Sequence, residues 1–400
     1  MIFDLLIIGG GASGLASAVT AFSMGVKNIA ILERLPRTGK KLLATGNGRC
    51  NLSHQHISAQ DYQGSYNPEK ILHQFGTAEN FFESLGLYCR IDEQGRIYPY
   101  SMSANAVLDS LRLACSGITE LCNENAVSLY PQSGKWHVLT ESGNEYISKS
   151  VIFSAGGTVQ PKFGTDGSAW NLLKNLHIPI VQGRPILCPL LSDRKILHPL
   201  KGLRVKASVT LYHQDAPLKS ESGEVQFTEQ ALSGICIFNL SALINKPISE
   251  YSISINLFPE LDTPEILSRL YACQAIRSEV TCEDMLSGLM HKALSRTLLK
   301  LIGIKADMPC HLLSNQQLHQ LAEKCHDFRF SITGTVKEQA QASAGGVHGS
   351  ALDENLQVKS RPGLYITGEA VDIHALCGGY QLHWAWASGY SAGMHIAEMR

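Results

Sequence analysis

Three stretches of this 400-residue chain hold residues whose types and spacing could do chemistry. In GGGASG, Gly9, Gly11 and Gly14 form a G-x-G-x-x-G pattern directly after the apolar run FDLLII. Gly9 allows a tight turn, Gly11 lets backbone approach a diphosphate, and Gly14 lets the following helix pack closely on the strand. Ala12 and Ser13 would open that helix, whose free N–H groups attract anionic oxygen. In TGNGRCN, residues 45–51, Gly46 and Gly48 lead to Arg49, Cys50 and Asn51. The arginine could neutralise a phosphate or steer an anionic substrate. The cysteine could act as a nucleophile only if its thiol ionised, and a lone cysteine reads first as packing. The third stretch, GEAVDIHALCGGYQL, gathers Gly368, Glu369, Asp372, His374, Gly379, Tyr380, Gln381 and Leu382. His374 lies just ahead of a glycine pair and could donate a proton, although it reads first as a surface-loop residue.

Periodicity supplies the elements that must position these groups. FDLLII predicts a strand buried on both faces, residues 12–24 a tightly packed helix, and KNIAILE a second strand ending at Glu33. A carboxylate about twenty residues beyond the last glycine can accept hydrogen bonds from an adenosine ribose. It disfavours a 2′-phosphate, so FAD or NAD is preferred over NADP. An NAD domain would continue as alternating strands and helices. This chain instead passes to the basic, glycine-rich RTGKKLLATGNGRCNLS. Later, SKSVIFSAGGTVQP predicts a strand running into Ala155, Gly156 and Gly157. Residues 364–367 predict another, and a small-residue helix starts at Tyr380.

GKKLLATGNGRCNLS, GGTVQPKFGTDGSAWNL, FTEQALSG and GLYITGEAVDIHALCGGYQLHWAWASGYSAG follow one another in an order that covers almost the whole chain. Together they resemble a bacterial family of NAD(P)/FAD-dependent oxidoreductases with aminoacetone oxidase-like and 3-dehydro-bile acid Δ4,6-reductase-like members. The resemblance implies a flavoprotein with two dinucleotide-binding domains, its FAD site assembled from both ends of the chain. Gly368 and Glu369 would then approach the pyrophosphate, and the helix starting at Tyr380 would point at the flavin pyrimidine edge. Arg34, Lys41 and Val127 complete the implied cofactor set. TGNGRCN would lie beside the flavin as an active-site loop; a structural turn and an independent nucleotide loop are the alternatives. Departures from the family pattern fall near His374, at Gln381 and His383, and at Gln230 and Ala231 in TEQALSG. They bear on substrate identity rather than on the cofactor.

The fold class expected is α/β: a discontinuous Rossmann-like FAD-binding domain with an inserted β-rich, barrel-like domain and a small helical subdomain. The expected division is 1–185 and 345–400 for FAD binding, 186–262 β-rich, 263–327 helical, and 328–344 returning. Such an insertion would roof the flavin and form the substrate cavity. GLRVKASVTLYH and YSISINLFP alternate as strands. Thr263 with Pro264 reads as an N-cap, and Thr281 to Asp284 and Ser314 to Gln317 as capping boxes.

A net charge of -1 argues against nucleic acid or anionic lipid. The partner expected is a small-molecule substrate, and oligomeric state stays open. Residues 5–22 carry no charge, but the preceding Asp4 and the internal glycines favour a βα unit over a targeting segment or membrane span. Eleven dispersed cysteines without a CxxC pair fit a reducing cytoplasm. Among fifteen histidines no spacing suits a metal. The expected function is transfer of hydride from NAD(P)H, a transient co-substrate, through flavin N5 to an activated C=C or similar small acceptor. An O₂-dependent amine oxidase or dehydrogenase and an FAD-containing binding or RNA-associated protein are the competing readings.

Overall fold

The computed structural model describes residues 2–399. The uncharged run at the N-terminus divides into strand β1 (Ile2–Ile8) and helix α1 (Ala12–Ser23), broken by the glycines between them. Strand β2 (Ile29–Glu33) follows, buried along its whole length. The chain later contributes β3 (Thr119–Cys122), β4 (Ala126–Gln132), β5 (Lys135–Thr140), β6 (Glu145–Phe153) and β7 (Ile180–Ile186). After a long insertion it returns with β8 (Ala342–Val347), β9 (Leu364–Ile366), β10 (Ile373–Ala375) and α2 (Tyr380–Glu398). No helix among the described residues is long and apolar enough to cross a membrane.

The main sheet runs β3–β2–β1–β6–β9 in parallel, with β5 and β4 added to β6 as an antiparallel meander. Ile8 pairs with Leu32 and with Phe153, and Phe153 with Ile366. That register brings Gly9, Ser154 and Thr367 out at one edge. Open α/β sheets bind ligands at this carboxyl edge of their strands. Strands so buried must be apolar on both faces, which is why Leu5, Leu6, Ile7, Ile31, Ile152 and Phe153 are all sealed.

The first and last helices meet along a seam of small residues. A Cβ on Gly389 would overlap the Ser13 carbonyl oxygen, and one on Gly393 would lie 2.6 Å from that of Ser17. Gly389→Val should therefore cost about 1–3 kcal/mol through overpacking and pull α1 away from the turn it anchors. Urea denaturation checks this.

By contact the chain divides into two compact units, one built from the residues up to Ile186 and from Ala340 onward, the other from Leu187–Gln339. In the second, the antiparallel order is Phe328–Ser331, Tyr251–Asn256, Arg204–His213, Ala216–Phe227, Ala231–Ser233, Leu190–Leu191, Gly334–Thr335. Its first and last strands are successive pieces of one segment, so residues 328–335 close the sheet on itself. The helices Thr263–Ile276, Lys292–Leu301 and Asn315–His326 bury Leu270, Leu298 and Leu318 in the same core as Ile253 and Phe328. The β-rich and helical pieces read separately from the sequence thus share one interior. The N-cap of the first helix is Asp262, not Thr263, because its carboxylate takes the Glu265 N–H at 2.8 Å. Ser314 and Gln317 form the expected capping box. Thr281 caps only the short helix Cys282–Met285.

Candidate functional site

At the end of β1, Gly9 adopts φ +106°, and a Cβ there would lie 2.5 Å from the Ser154 carbonyl oxygen. The Ser154 hydroxyl donates to the Gly9 and Ile8 carbonyls at 2.7 and 3.0 Å, binding the turn to the end of β6. At Gly14 a Cβ would overlap the Gly9 carbonyl oxygen, so helix and turn touch. Gly11 is different: it is the N-cap of α1, no side chain caps the helix, and a Cβ there meets nothing within 4 Å. The first N–H groups of α1, from Ala12 and Ser13 onward, therefore open onto free space, the arrangement that suits a diphosphate.

Glu33 sits at the end of β2, 9% exposed. Its two oxygens accept the N–H groups of Leu35 and Gly10, each at 2.9 Å. Burial raises its pKa, and those two donors partly offset the rise. Arg34 turns away to grip Asp166 through both carboxylate oxygens at 3.0 and 3.2 Å, with further bonds to Ser168 and Gly164. Burial would push the Asp166 carboxyl up, but these partners hold it down at about 2. Val127 is half-exposed on β4, three residues past Glu124, whose N–H donates to the Glu33 carbonyl.

The other motifs meet beside this turn. Lys41 contacts Glu369 at 2.6 Å, and the second oxygen of Glu369 accepts the N–H and hydroxyl of Ser343. A Cβ at Gly157 would overlap the Ser343 hydroxyl, and the Trp170 indole donates to the Gly156 carbonyl. Gly157 is thereby drawn against Ser343, and Gly156 against Trp170. A Cβ at Gly368 would lie 2.6 Å from the Ser13 hydroxyl, while Trp384 donates to the Gly368 carbonyl at 3.0 Å. Glycine at 379, φ +102°, lets the chain pass against Ser53 and Asn51 before α2 begins without a side-chain cap. Trp386 holds the Leu52 carbonyl, His383 lies 2.8 Å from the Ser53 hydroxyl, and Gln381 donates to the Ala375 carbonyl. Tyr62 donates to the Tyr380 carbonyl, and the Tyr380 ring stacks on His54 at 5.1 Å. Leu382 packs against the main core. Trp384 and Trp386 are core residues.

TGNGRCN is no phosphate loop of the usual kind, because a short strand (Ser53–His54) rather than a helix follows it. Gly46, Asn47, Gly48 and Cys50 all have positive φ. Side chains at Asn47 and Cys50 make that costly, of order 1–3 kcal/mol each. Arg49 is exposed, its guanidinium over the Tyr98 ring at 5.6 Å. Cys50 is fully buried, and burial pushes its thiol up to about 12. No thiolate is available there at neutral pH. Iodoacetamide at pH 8 should leave Cys50 unmodified in the folded protein and alkylate it in urea, as mass spectrometry can check.

His374 overturns its sequence reading. It is not on a surface loop but in β10, 7% exposed, with neither ring nitrogen partnered. Burial, followed by the nearby Arg184 charge, lowers its pKa to about 4 against the pull of Asp372. Asp372 is itself buried and accepts the Ser65 N–H. Among the residues of these motifs and the strand ends beside them, the buried oxygens Asn51 Oδ1 and Thr367 Oγ1 also lack partners. No group of three metal-ligating side chains occurs among the described residues. Two uncapped helix N-termini, open space at Gly11 and unpartnered buried acceptors fit a flavin dinucleotide. Sequence reasoning missed Ser154, Ser343, Thr367 and Ser53. None belongs to a spacing pattern, and only the register reveals them.

The family described as HI0933-like protein Rossmann domain matches residues 3–395. The 3-dehydro-bile acid delta(4,6)-reductase of Clostridium scindens is 34% identical over 98% of both chains. A ribosomal RNA dihydrouridine synthase of Haemophilus influenzae is 24% identical, again over 98% of both. A flavocytochrome c3 fumarate reductase structure aligns with 99% of this chain and 78% of its own, at 15% identity and a TM-score of 0.49.

Proposed function

We start from the fact that this chain belongs to the HI0933-like protein Rossmann domain family and is an FAD-dependent oxidoreductase, and propose that it passes hydride from NAD(P)H to an activated carbon–carbon double bond of a small acceptor. Bound FAD supplies the two-electron hydride chemistry at flavin N5. The N–H groups of Gly11, Ala12, Ser13 and Gly14 would hold the diphosphate, and Glu33 would face the adenosine ribose. Gly46, Gly48, Asn51, Ala155, Gly156 and Gly157 would line the rest. Asn51 offers an unpartnered acceptor. The N–H groups from Gly379 to Leu382 would stabilise negative charge on the ring by about 0.3–1 kcal/mol, more when buried. Lys41 and Glu369 act as a pair that joins the N- and C-terminal segments of the site. Arg34 acts indirectly, by fixing the loop that carries Asp166.

The observation that carries this reading is the full-length similarity to a reductase named for the delta(4,6) positions of a 3-dehydro-bile acid. The buried, protonated Cys50 supports it by removing the nearest candidate for a thiol relay. A net charge of -1 favours a small acceptor over RNA. The test is the absorption spectrum of the purified protein, followed by anaerobic NADH, NADPH or an amine and then an enone. Bleaching by a nicotinamide and recovery with the enone are expected. Bleaching only by an amine, with recovery in air, would replace this reading with an oxidase.

A further inference from the structure

Two histidines are buried near the glycine pair, His374 in β10 before it and His383 in the first turns of α2 after it, and their surroundings differ. His383 has a partner in Ser53, which ties α2 to the strand Ser53–His54, and its role is structural. His374 has none for either ring nitrogen. A neutral imidazole is one donor and one acceptor, and sealing both from water without partners is unfavourable. An aliphatic or aromatic side chain would occupy the same place without that loss. An imidazole so placed points to a bond made only when a ligand is present.

The position says which ligand. His374 precedes Ala375, whose carbonyl holds Gln381 in the first turn of α2. The Gly378–Gly379 turn lies between them. On the reading above, which this inference rests on, the pyrimidine end of the flavin ring lies at that helix start, so His374 would be close to the ring. Charges of both signs lie near the imidazole. Arg184 on β7 brings a cation, and Asp372, two residues before His374, brings a carboxylate whose charge is shared with the Ser65 N–H. Such surroundings suit an uncharged oxygen that becomes negative during reaction better than a carboxylate already charged.

We propose that the His374 N–H, with Arg184 behind it, binds the carbonyl oxygen conjugated to the double bond that this enzyme reduces. The reduced coenzyme, when bound, would supply the hydride for the new C–H bond at the β-carbon. The π electrons move toward the carbonyl, placing negative charge on the oxygen that His374 holds. A proton from water then adds to the α-carbon and restores the carbonyl. His374 keeps its own proton throughout and acts by stabilising the enolate oxygen.

The test uses the full-length flavin-loaded protein with cyclohexanone as a non-reducible probe and cyclohex-2-en-1-one as acceptor. His374→Phe should raise the cyclohexanone Kd by about tenfold and slow enone-driven reoxidation of the reduced flavin by about a hundredfold. Its thermal midpoint should equal or exceed that of the unsubstituted protein, because a buried unpaired polar group has been removed. His374→Asn, which keeps a donor, should recover most of the binding. In ¹⁵N-histidine-labelled protein, the His374 ring signals should move when cyclohexanone is added. Unchanged binding and reoxidation in His374→Phe would overturn the proposal, as would a flavin-loaded parent protein that the enone cannot reoxidise. A fall in stability in both variants would also overturn it and make His374 a core residue. A parent protein without flavin, or one that no nicotinamide reduces, would instead sink the hydride-transfer reading itself.

Discussion

A leucine in place of Gly11 will release FAD from a protein that still folds. Most glycines in the turn are there because something touches them; Gly11 is there because nothing does. Its backbone is in an ordinary extended conformation, φ -83°, so a side chain brings no strain. The loss of a favourable N-cap type costs about 1 kcal/mol or less. The side chain would project into the space on which the N–H groups of α1 open, where the diphosphate must sit. FAD affinity should fall by at least about a hundredfold, or ~2.7 kcal/mol, measured by fluorescence titration of the coenzyme-free protein. Urea midpoints without coenzyme should barely move. Gly14→Val is the contrast, because its Cβ would overlap the Gly9 carbonyl and should unfold the turn itself. Gly11→Leu protein that retains its colour at low coenzyme concentration would contradict the assignment of this turn.

Acid will begin to destabilise the protein well above the range where carboxylates titrate. Burial pushes His374 and His383 down to about 4, with Arg184 adding to the effect at His374 and Asp372 opposing it. In the unfolded chain both titrate near 6.5. Between pH 6.5 and 4 the unfolded state binds protons that the native state refuses. The native advantage is therefore complete above pH 6.5 and shrinks as pH falls, by about 3 kcal/mol for each histidine at pH 4. Two such groups together approach the whole net stability of a domain. Urea denaturation from pH 7.5 to 4.5 should show this slope, and His383→Gln or His374→Phe should each remove about half. Asp166, held at about 2, adds acid sensitivity only at lower pH, its contribution present above about 3.9 and lost through 2.

Much of this was legible in the sequence wherever the information is local. A fully apolar run, three glycines, a small-residue helix and a terminal acid specify the first βαβ unit almost without tertiary context. The alternation in GLRVKASVTLYH and YSISINLFP locates the inserted strands. What escaped is what the register decides. Ser154 matters because Phe153 pairs with Ile8 and brings its hydroxyl under the Gly9 carbonyl. Ser343 matters because Glu369, far along the chain, reaches it. His374 looked like a loop residue since β10 is only Ile373–Ala375, too short to show alternation, and its partner strand is Tyr62–Gly64. The N-cap slipped by one residue because Asp262 and Thr263 are both good caps and only backbone geometry separates them.

The pairing of β6 with β9 also sets an order of assembly during synthesis. When the ribosome has delivered residues 328–335, the middle unit holds every strand its closed sheet needs and can finish folding. The surrounding unit cannot. Val151, Ile152 and Phe153 still present a bare edge that Leu364, Tyr365 and Ile366 will later cover, and such edges invite pairing with other chains. The central unit, residues 187–339, can thus be finished before the unit whose segments flank it in sequence.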